Sequence, residues 1–469
     1  MTAIGPLPVD TQNPAAGGDP HARPFLEALF AAYEDECVRY VVLRNYECWP
    51  DNFGKDIDLV LNPNDLQLSH AIIRRLAEAH GLAWMASRRR SSHINYYLAP
   101  LRCDGVARGL VLDVRTDVVH NAFVYLPGAL VLESRRRHAE GGLSAPFYVP
   151  SPALESLAVL LHCVFDKGAV RPSYRARLRE LDAGESEEFR HAATAVVGRT
   201  LAAELAECLA AGTPERALGL RRRLLLATAR RNPEAISRWL RGRRGAVWDR
   251  VMAWVRLKGH VVILAGPDGS GKTTLAELIC RRFAPTRIPA SAVYLGAQKP
   301  LLPTRRLSQK IRGRLASPGT PRPLKDVDRR ERLRGLLHIL ADKWLRYLVH
   351  VRPRLVRGEV VVLDRYFYDL RTFPHPLVQR PWLEAVIMRL IPKPALAFCL
   401  TADPELIAAR KRELTVAETA RQLECFRGLR RWIRNFHEVP ADGDLKAVVD
   451  GMTKQILRLY ARDRSPQDI

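Results

Sequence analysis

The segment Val261-Val262-Ile263-Leu264-Ala265-Gly266-Pro267-Asp268-Gly269-Ser270-Gly271-Lys272-Thr273-Thr274 constrains this chain more than any other. Five apolar residues of strand type run into a loop that matches G-x-x-x-x-G-K-[ST] at every fixed position, and 275–283 continue with helical spacing. A strand, a glycine-rich turn and a helix, in that order, aim several backbone N–H groups at one point, and the helix N-terminus adds its positive end. That arrangement suits a bound phosphate. Gly266, Gly269, Ser270, Gly271, Lys272, Thr273 and Thr274 are the candidate contacts. Lys272 would reach the β- and γ-phosphates of ATP, and Thr273 would ligate Mg2+.

The surrounding pattern agrees. Apolar, β-branched runs at 260–265, 291–295, 359–363, 395–400 and 438–441 alternate with helical stretches, which predicts a parallel sheet covered on both faces. The third run ends in Asp364-Arg365-Tyr366, at the carboxyl edge of a strand, where open α/β sheets bind ligands. An acid there can hold Mg2+-bound water, and Arg365 beside it can bridge a donor and an acceptor phosphate. The fourth run enters a turn and then Arg410-Lys411-Arg412-Glu413, a movable cationic segment able to surround a migrating phosphoryl group.

On these residues the region 259–450 resembles the thymidylate kinase family of P-loop nucleoside-monophosphate kinases. Gly-Pro-Asp-Gly-Ser-Gly-Lys-Thr-Thr is similar to that family's phosphate loop, including its acid at Asp268, and Asp364-Arg365-Tyr366 is similar to its Asp-Arg-Tyr/His signature. The resemblance implies a five-stranded parallel sheet and phosphoryl transfer from ATP and Mg2+ to a nucleoside monophosphate. It also implies Asp268 near the acceptor's sugar or metal shell, Arg365 on the acceptor phosphate, and Arg410 and Arg412 as lid arginines. The family's base-reading residues do not align with 294–333, so the acceptor stays open.

Towards the N-terminus, Gly54-Lys55-Asp56-Ile57-Asp58-Leu59-Val60-Leu61 puts two acids on one side of a predicted strand, and Asp113 sits on a second, in Leu110-Val111-Leu112-Asp113-Val114-Arg115. Three convergent carboxylates can hold two metal ions. The Gly-x-Asp-x-Asp and the later Asp resemble the nucleotidyltransferase superfamily, which implies an α+β domain with Asp56, Asp58 and Asp113 as metal ligands. Leu43-Arg44-Asn45-Tyr46-Glu47 stands where that superfamily has its Gly-Ser helix start, and Asn45 is a candidate phosphate contact. Helices are expected at 25–40 and at 66–80, the latter capped by Asn64 or Asp65, and strands at 93–98 and 110–114. His93, His120 and His162 read as structural histidines.

The expected organisation is α/β overall: a disordered tail (1–24), a nucleotidyltransferase-like domain (25–166), a basic helical connector (167–258) and a thymidylate-kinase-like domain (259–469). A formal net charge of +24 favours acidic partners. Within the connector, 215–258 carry 13 Lys and Arg against three acids; within the kinase-like region, 305–334 carry 11 against three. This leaves three partner readings open: ATP with a phosphorylated small-molecule acceptor, a nucleotide-gated contact to nucleic acid or another polyanion, and a second copy of the chain. A fusion of this kind also resembles accessory proteins of polysaccharide gene clusters, which implies a sugar or glycan-linked phosphate as an alternative acceptor. No apolar run reaches the roughly 20 residues of a membrane span. Eight cysteines without a C-x-x-C pair read as buried, reduced thiols in a cytoplasmic protein.

Overall fold

The computed structural model describes residues 21–54, 56–90, 93–101, 109–120, 123–138, 142–231, 257, 259–296, 329–372, 381–411, 415–441 and 443–462. The tail 1–20, most of the two arginine-rich segments (232–256 and 297–328), Arg412 and Cys103 therefore lie outside the described residues. Apart from the chain's ends, the molecule divides into two compact units, Asp10–Val251 and Met252–Leu459.

The first unit is built on a mixed sheet of β1 (Tyr40–Val42), β2 (Ile57–Leu61), β3 (Leu82–Arg90), β4 (His93–Pro100) and β5 (Leu110–Arg115), in the order β1-β2-β5-β4-β3. Only the β2–β5 pair is parallel; its neighbours run antiparallel. Alternation sorts the side chains. Tyr40, Val42, Ile57, Leu59, Leu61, Ile94, Tyr96, Leu112 and Val114 form one apolar face and pack with Phe25, Leu29 and Phe30 of the helix Ala22–Asp35 and with Ile72 and Ile73 of the helix Leu66–Ala79. Val41 and Val60 belong to the opposite face and to a second core. Asp58, Asn95 and Asp113 share that opposite face in one register row, and His93 and Arg115 pair in the next.

Three local expectations change. The helix expected to reach 40 stops at Asp35, because Cys37 takes a left-handed backbone (φ 55°) and the chain must turn to enter β1. Asp65 precedes the second helix without capping it; its carboxylate instead accepts from the Arg39 N–H at 2.9 Å. The helix Ala22–Asp35 also begins inside the segment expected as a tail.

Hairpins of β6 (Val118–His120) with β7 (Phe123–Leu126) and of β8 (Arg136–His138) with β9 (Phe147–Val149) lead to the helix Pro152–His162. Ser151 caps that helix by accepting from Leu154 N–H, and Pro152 occupies its first turn. The segment expected as a connector starts by packing rather than spanning. Leu178, Phe189, Leu201, Leu205 and Leu224, from helices between Pro172 and Arg231, join the second core beside Leu157, Leu160 and Leu161. Its arginines are partly spent locally, Arg216 on Glu207 and Arg223 on Glu204.

The second unit holds β10 (His260–Ala265), β11 (Ala290–Tyr294), β12 (Val360–Asp364), β13 (Leu396–Thr401) and β14 (Phe436–Pro440), all parallel, in the order β11-β12-β10-β13-β14. The five strands match the five apolar runs to within two residues at each end. Strand β10 sits between β12 and β13, so the loop that follows it opens beside the carboxyl ends of both neighbours. Val360–Asp364 are buried throughout, as a central parallel strand requires.

Among the described cysteines, Cys163, Cys208 and Cys399 are buried as expected, whereas Cys37 and Cys48 are exposed. Among the described residues no helix is long and apolar enough to cross a membrane.

Candidate functional site

In the second unit, the loop after β10 is shaped by three glycines with positive φ: Gly266 (154°), Gly269 (91°) and Gly271 (86°). At Gly266 the space is taken as well. A Cβ there would meet Ser270 Oγ at 2.8 Å and the Leu400 carbonyl oxygen at 3.3 Å. Gly271 is the left-handed N-cap of the helix Lys272–Phe283, and Ser270 Oγ ties the loop by donating to the Pro267 carbonyl at 2.9 Å.

Lys272 is buried and folds back over the loop, donating to the carbonyls of Gly266 (2.9 Å) and Pro267 (2.6 Å) with Asp268 3.8 Å away. Burial pushes its pKa down, against the pull of Asp364 and Asp268. Thr273 Oγ1 donates to Asp364 Oδ2 at 2.5 Å. The other oxygen of that carboxylate, Oδ1, is buried and accepts no hydrogen bond. A hydroxyl and a buried, half-satisfied carboxylate side by side form an oxygen donor set that suits Mg2+.

Arg365 takes a left-handed backbone (φ 71°) directly after β12, and its guanidinium contacts the Asp268 carboxylate. Burial works against its charge, and Asp369 and Asp268 outweigh that. Tyr366 donates to the Pro392 carbonyl. The sequence-predicted Asp268, Lys272, Thr273, Asp364 and Arg365 are thereby brought together. Thr274 lies exposed in the first helical turn. Arg410 belongs to the helix Pro404–Lys411, but its side chain, like all of Arg412, lies outside the described residues.

Three side chains join this site that motif reading passed over. Lys343, buried in the helix Arg329–Arg346, donates to the Tyr366 carbonyl at 2.9 Å and lies 3.8 Å from Asp369. Burial lowers the Lys343 pKa and raises that of Asp369. Tyr294 ends β11 directly beside Asp364, and its ring covers Gly296. The available signal was Asp342-Lys343 inside an otherwise apolar helical run; Asp342 pairs with Arg346 at 2.9 Å, which leaves Lys343 to face the strand ends.

In the first unit the ligand atoms of Asp56, Asp58 and Asp113 lie within 4.8 Å of one another. Asp56 is exposed as a whole residue, but protein crowds its carboxyl, and this loss of water, followed by the charges of Asp58 and Asp113, raises its pKa. Asp58 is buried and pairs with Arg44 (2.7 Å) and Arg115 (2.6 Å). Burial alone would raise its carboxyl; the two guanidiniums outweigh that and hold it at about 2. Asn45 has a left-handed backbone (φ 65°), between Arg44 on Asp58 and Tyr46, whose hydroxyl donates to buried Glu155 at 2.5 Å. Arg177 closes that clamp on Glu155 at 2.7 Å. Asp166 gathers His120 (2.6 Å), His162 (2.8 Å) and the Tyr125 hydroxyl (2.7 Å). Burial resists ionisation of Asp166, and these three hydrogen bonds prevail to lower its pKa.

No protein-family model matches the chain. The chain is similar to a probable thymidylate kinase of Pyrobaculum aerophilum, 29% identical over 175 residues, which cover 36% of this chain and 78% of that protein. The similarity hints at a nucleotide kinase; it gives neither the acceptor nor the domain organisation.

Proposed function

We propose that the second unit is an ATP-dependent kinase that transfers a phosphoryl group to a nucleoside monophosphate. The observation that carries this reading is the convergence of Lys272, Thr273 and a half-satisfied Asp364 on one glycine loop. Mg2+, when bound, would supply charge neutralisation between the transferring phosphates, and Thr273 and Asp364 are the residues that would hold it. Lys272 would exchange its two carbonyl partners for the donor phosphates, beside the N–H groups of the loop. Arg365, held at the strand end, would face the acceptor phosphate, with Asp268 keeping its guanidinium oriented until the acceptor arrives. Lys343 adds a second buried cation on the acceptor side. Arg410 and Arg412 complete the expected set as lid cations. Holding donor and acceptor in line in this way lowers the barrier by positioning and by charge stabilisation.

The test is an ATP-consumption screen over nucleoside monophosphates and sugar phosphates with wild type and Lys272→Ala. Turnover with a nucleoside monophosphate, abolished in the variant, supports the reading. Turnover with sugar phosphates alone would replace the acceptor class, and no turnover above that of Lys272→Ala would remove the kinase reading.

A further inference from the structure

The carboxylate cluster of the first unit already contains its cation. Three of the four carboxylate oxygens of Asp58 and Asp113 face a guanidinium nitrogen. Asp58 Oδ2 takes Arg44 Nε at 2.7 Å and Asp58 Oδ1 takes Arg115 Nη2 at 2.6 Å. The same Arg115 nitrogen contacts Asp113 Oδ2, while Asp113 Oδ1, 2.6 Å from His93 Nε2, accepts no hydrogen bond. One guanidinium nitrogen thus bridges carboxylates on β2 and β5, the place a shared metal ion would take. Arg115 is itself buried, so its charge has little water to screen it. A divalent ion within a few ångströms of that guanidinium would meet strong repulsion at low local dielectric.

We propose that Arg115 is the resident cation of the Asp56–Asp58–Asp113 cluster and excludes a divalent metal ion from it, so that a metal site exists there only once the guanidinium is removed. The strand register supports this. Asp113 and Arg115 lie two apart on β5 and share a face, so the acid and its counterion are placed by the same backbone. Asn95, opposite Asp113 on β4 and buried, has an Oδ1 that accepts no hydrogen bond. Without Arg115, and with Arg44 still on Asp58 Oδ2, the cluster would offer Asp56, Asp58 Oδ1, Asp113 and a neutral oxygen, a donor set for a hard cation. With Arg115, the buried Asp58–Asp113 pair is matched by two guanidiniums, Arg44 and Arg115. The inference is independent of the kinase reading.

Binding of Mn2+, followed by its electron paramagnetic resonance signal without nucleotide, tests this on the full chain. Wild type and Asp113→Asn should bind the same number of Mn2+ ions, since the phosphate-loop background is common to both. Arg115→Met should gain one equivalent, with affinity raised roughly tenfold or more over wild type, and the gain should vanish in Arg115→Met/Asp113→Asn. Loss of one equivalent from wild type on Asp113→Asn overturns the proposal, and so does a folded Arg115→Met that gains none. Should Arg115→Met not fold, the comparison of wild type with Asp113→Asn decides by itself.

Discussion

Thr273 Oγ1 and Asp364 Oδ2 meet at 2.5 Å, which joins the first turn of the helix after the glycine loop to the end of the neighbouring strand. The contact satisfies only one oxygen of a buried carboxylate. Removing either partner strikes the proposed metal ligands while leaving the parallel sheet intact. Thr273→Ala and Asp364→Asn are each expected to lower kcat/KM for ATP-dependent transfer by roughly 100-fold or more, the scale of losing one preorganised charge-stabilising group. A coupled ATP-consumption assay measures this, with circular dichroism to show the fold retained. Near wild-type turnover in Asp364→Asn would end its assignment as a metal ligand.

Gly266→Ala tests the shape of the loop without touching a charged group. The new Cβ would meet Ser270 Oγ at 2.8 Å on a backbone at φ 154°. The strain should cost roughly 1–3 kcal/mol and disturb the loop carbonyls that hold Lys272. A lower melting temperature together with a smaller ATP-induced shift in thermal unfolding is the expected result. An unchanged ATP-induced shift would show that the loop tolerates the side chain.

Glu155 is the buried hub between Tyr46 and Arg177. Glu155→Ala would remove that shared acceptor, although Arg177 keeps Glu47 at 2.8 Å and Glu180 at 3.2 Å and still donates to the Tyr46 hydroxyl at 3.0 Å. A loss of roughly 1–3 kcal/mol is expected, because the Tyr46 hydroxyl and the Arg177 guanidinium lose a buried charged acceptor. Urea unfolding reads the loss, and a value within error of wild type would show that Glu47 suffices.

Acid should weaken the first unit through Asp58. Its native carboxyl sits at about 2 against 3.8 for the unperturbed group. A depressed native pKa stabilises the fold above the unfolded value and loses that contribution as pH falls through the native value. The contribution is about 2 kcal/mol, fully present above about pH 4 and gone below about pH 2. The stability difference between wild type and Asp58→Asn should therefore shrink across that window. A difference that stays constant from neutral pH down to pH 2 would show that Arg44 and Arg115 do not act through the Asp58 charge.

The second unit was the more legible in the sequence. Its three central strands are continuous apolar runs, because each is buried on both faces, and its loop is a contiguous motif. Lys343 was not legible. It reaches the site from a helix about 70 residues after the loop, and nothing in local spacing shows that a helical lysine faces the strand ends. In the first unit the three acids were visible as a pattern. Their compensation was not, because Arg44 reaches Asp58 through the β1–β2 pairing and Arg115 through the β2–β5 pairing. The helices after Pro172 read as a connector because their arginines dominate the composition, while the few leucines that enter the core decide where they pack.

The placement of Asp113 and Arg115 two residues apart on β5 also bears on how the sheet is assembled. Were β5 to dock one residue out of step, both side chains would turn together toward the apolar helices, and the intruder would be a dipole instead of a bare carboxylate. Neutralisation written into a single strand makes electroneutrality a local property of the chain, available before any partner strand arrives.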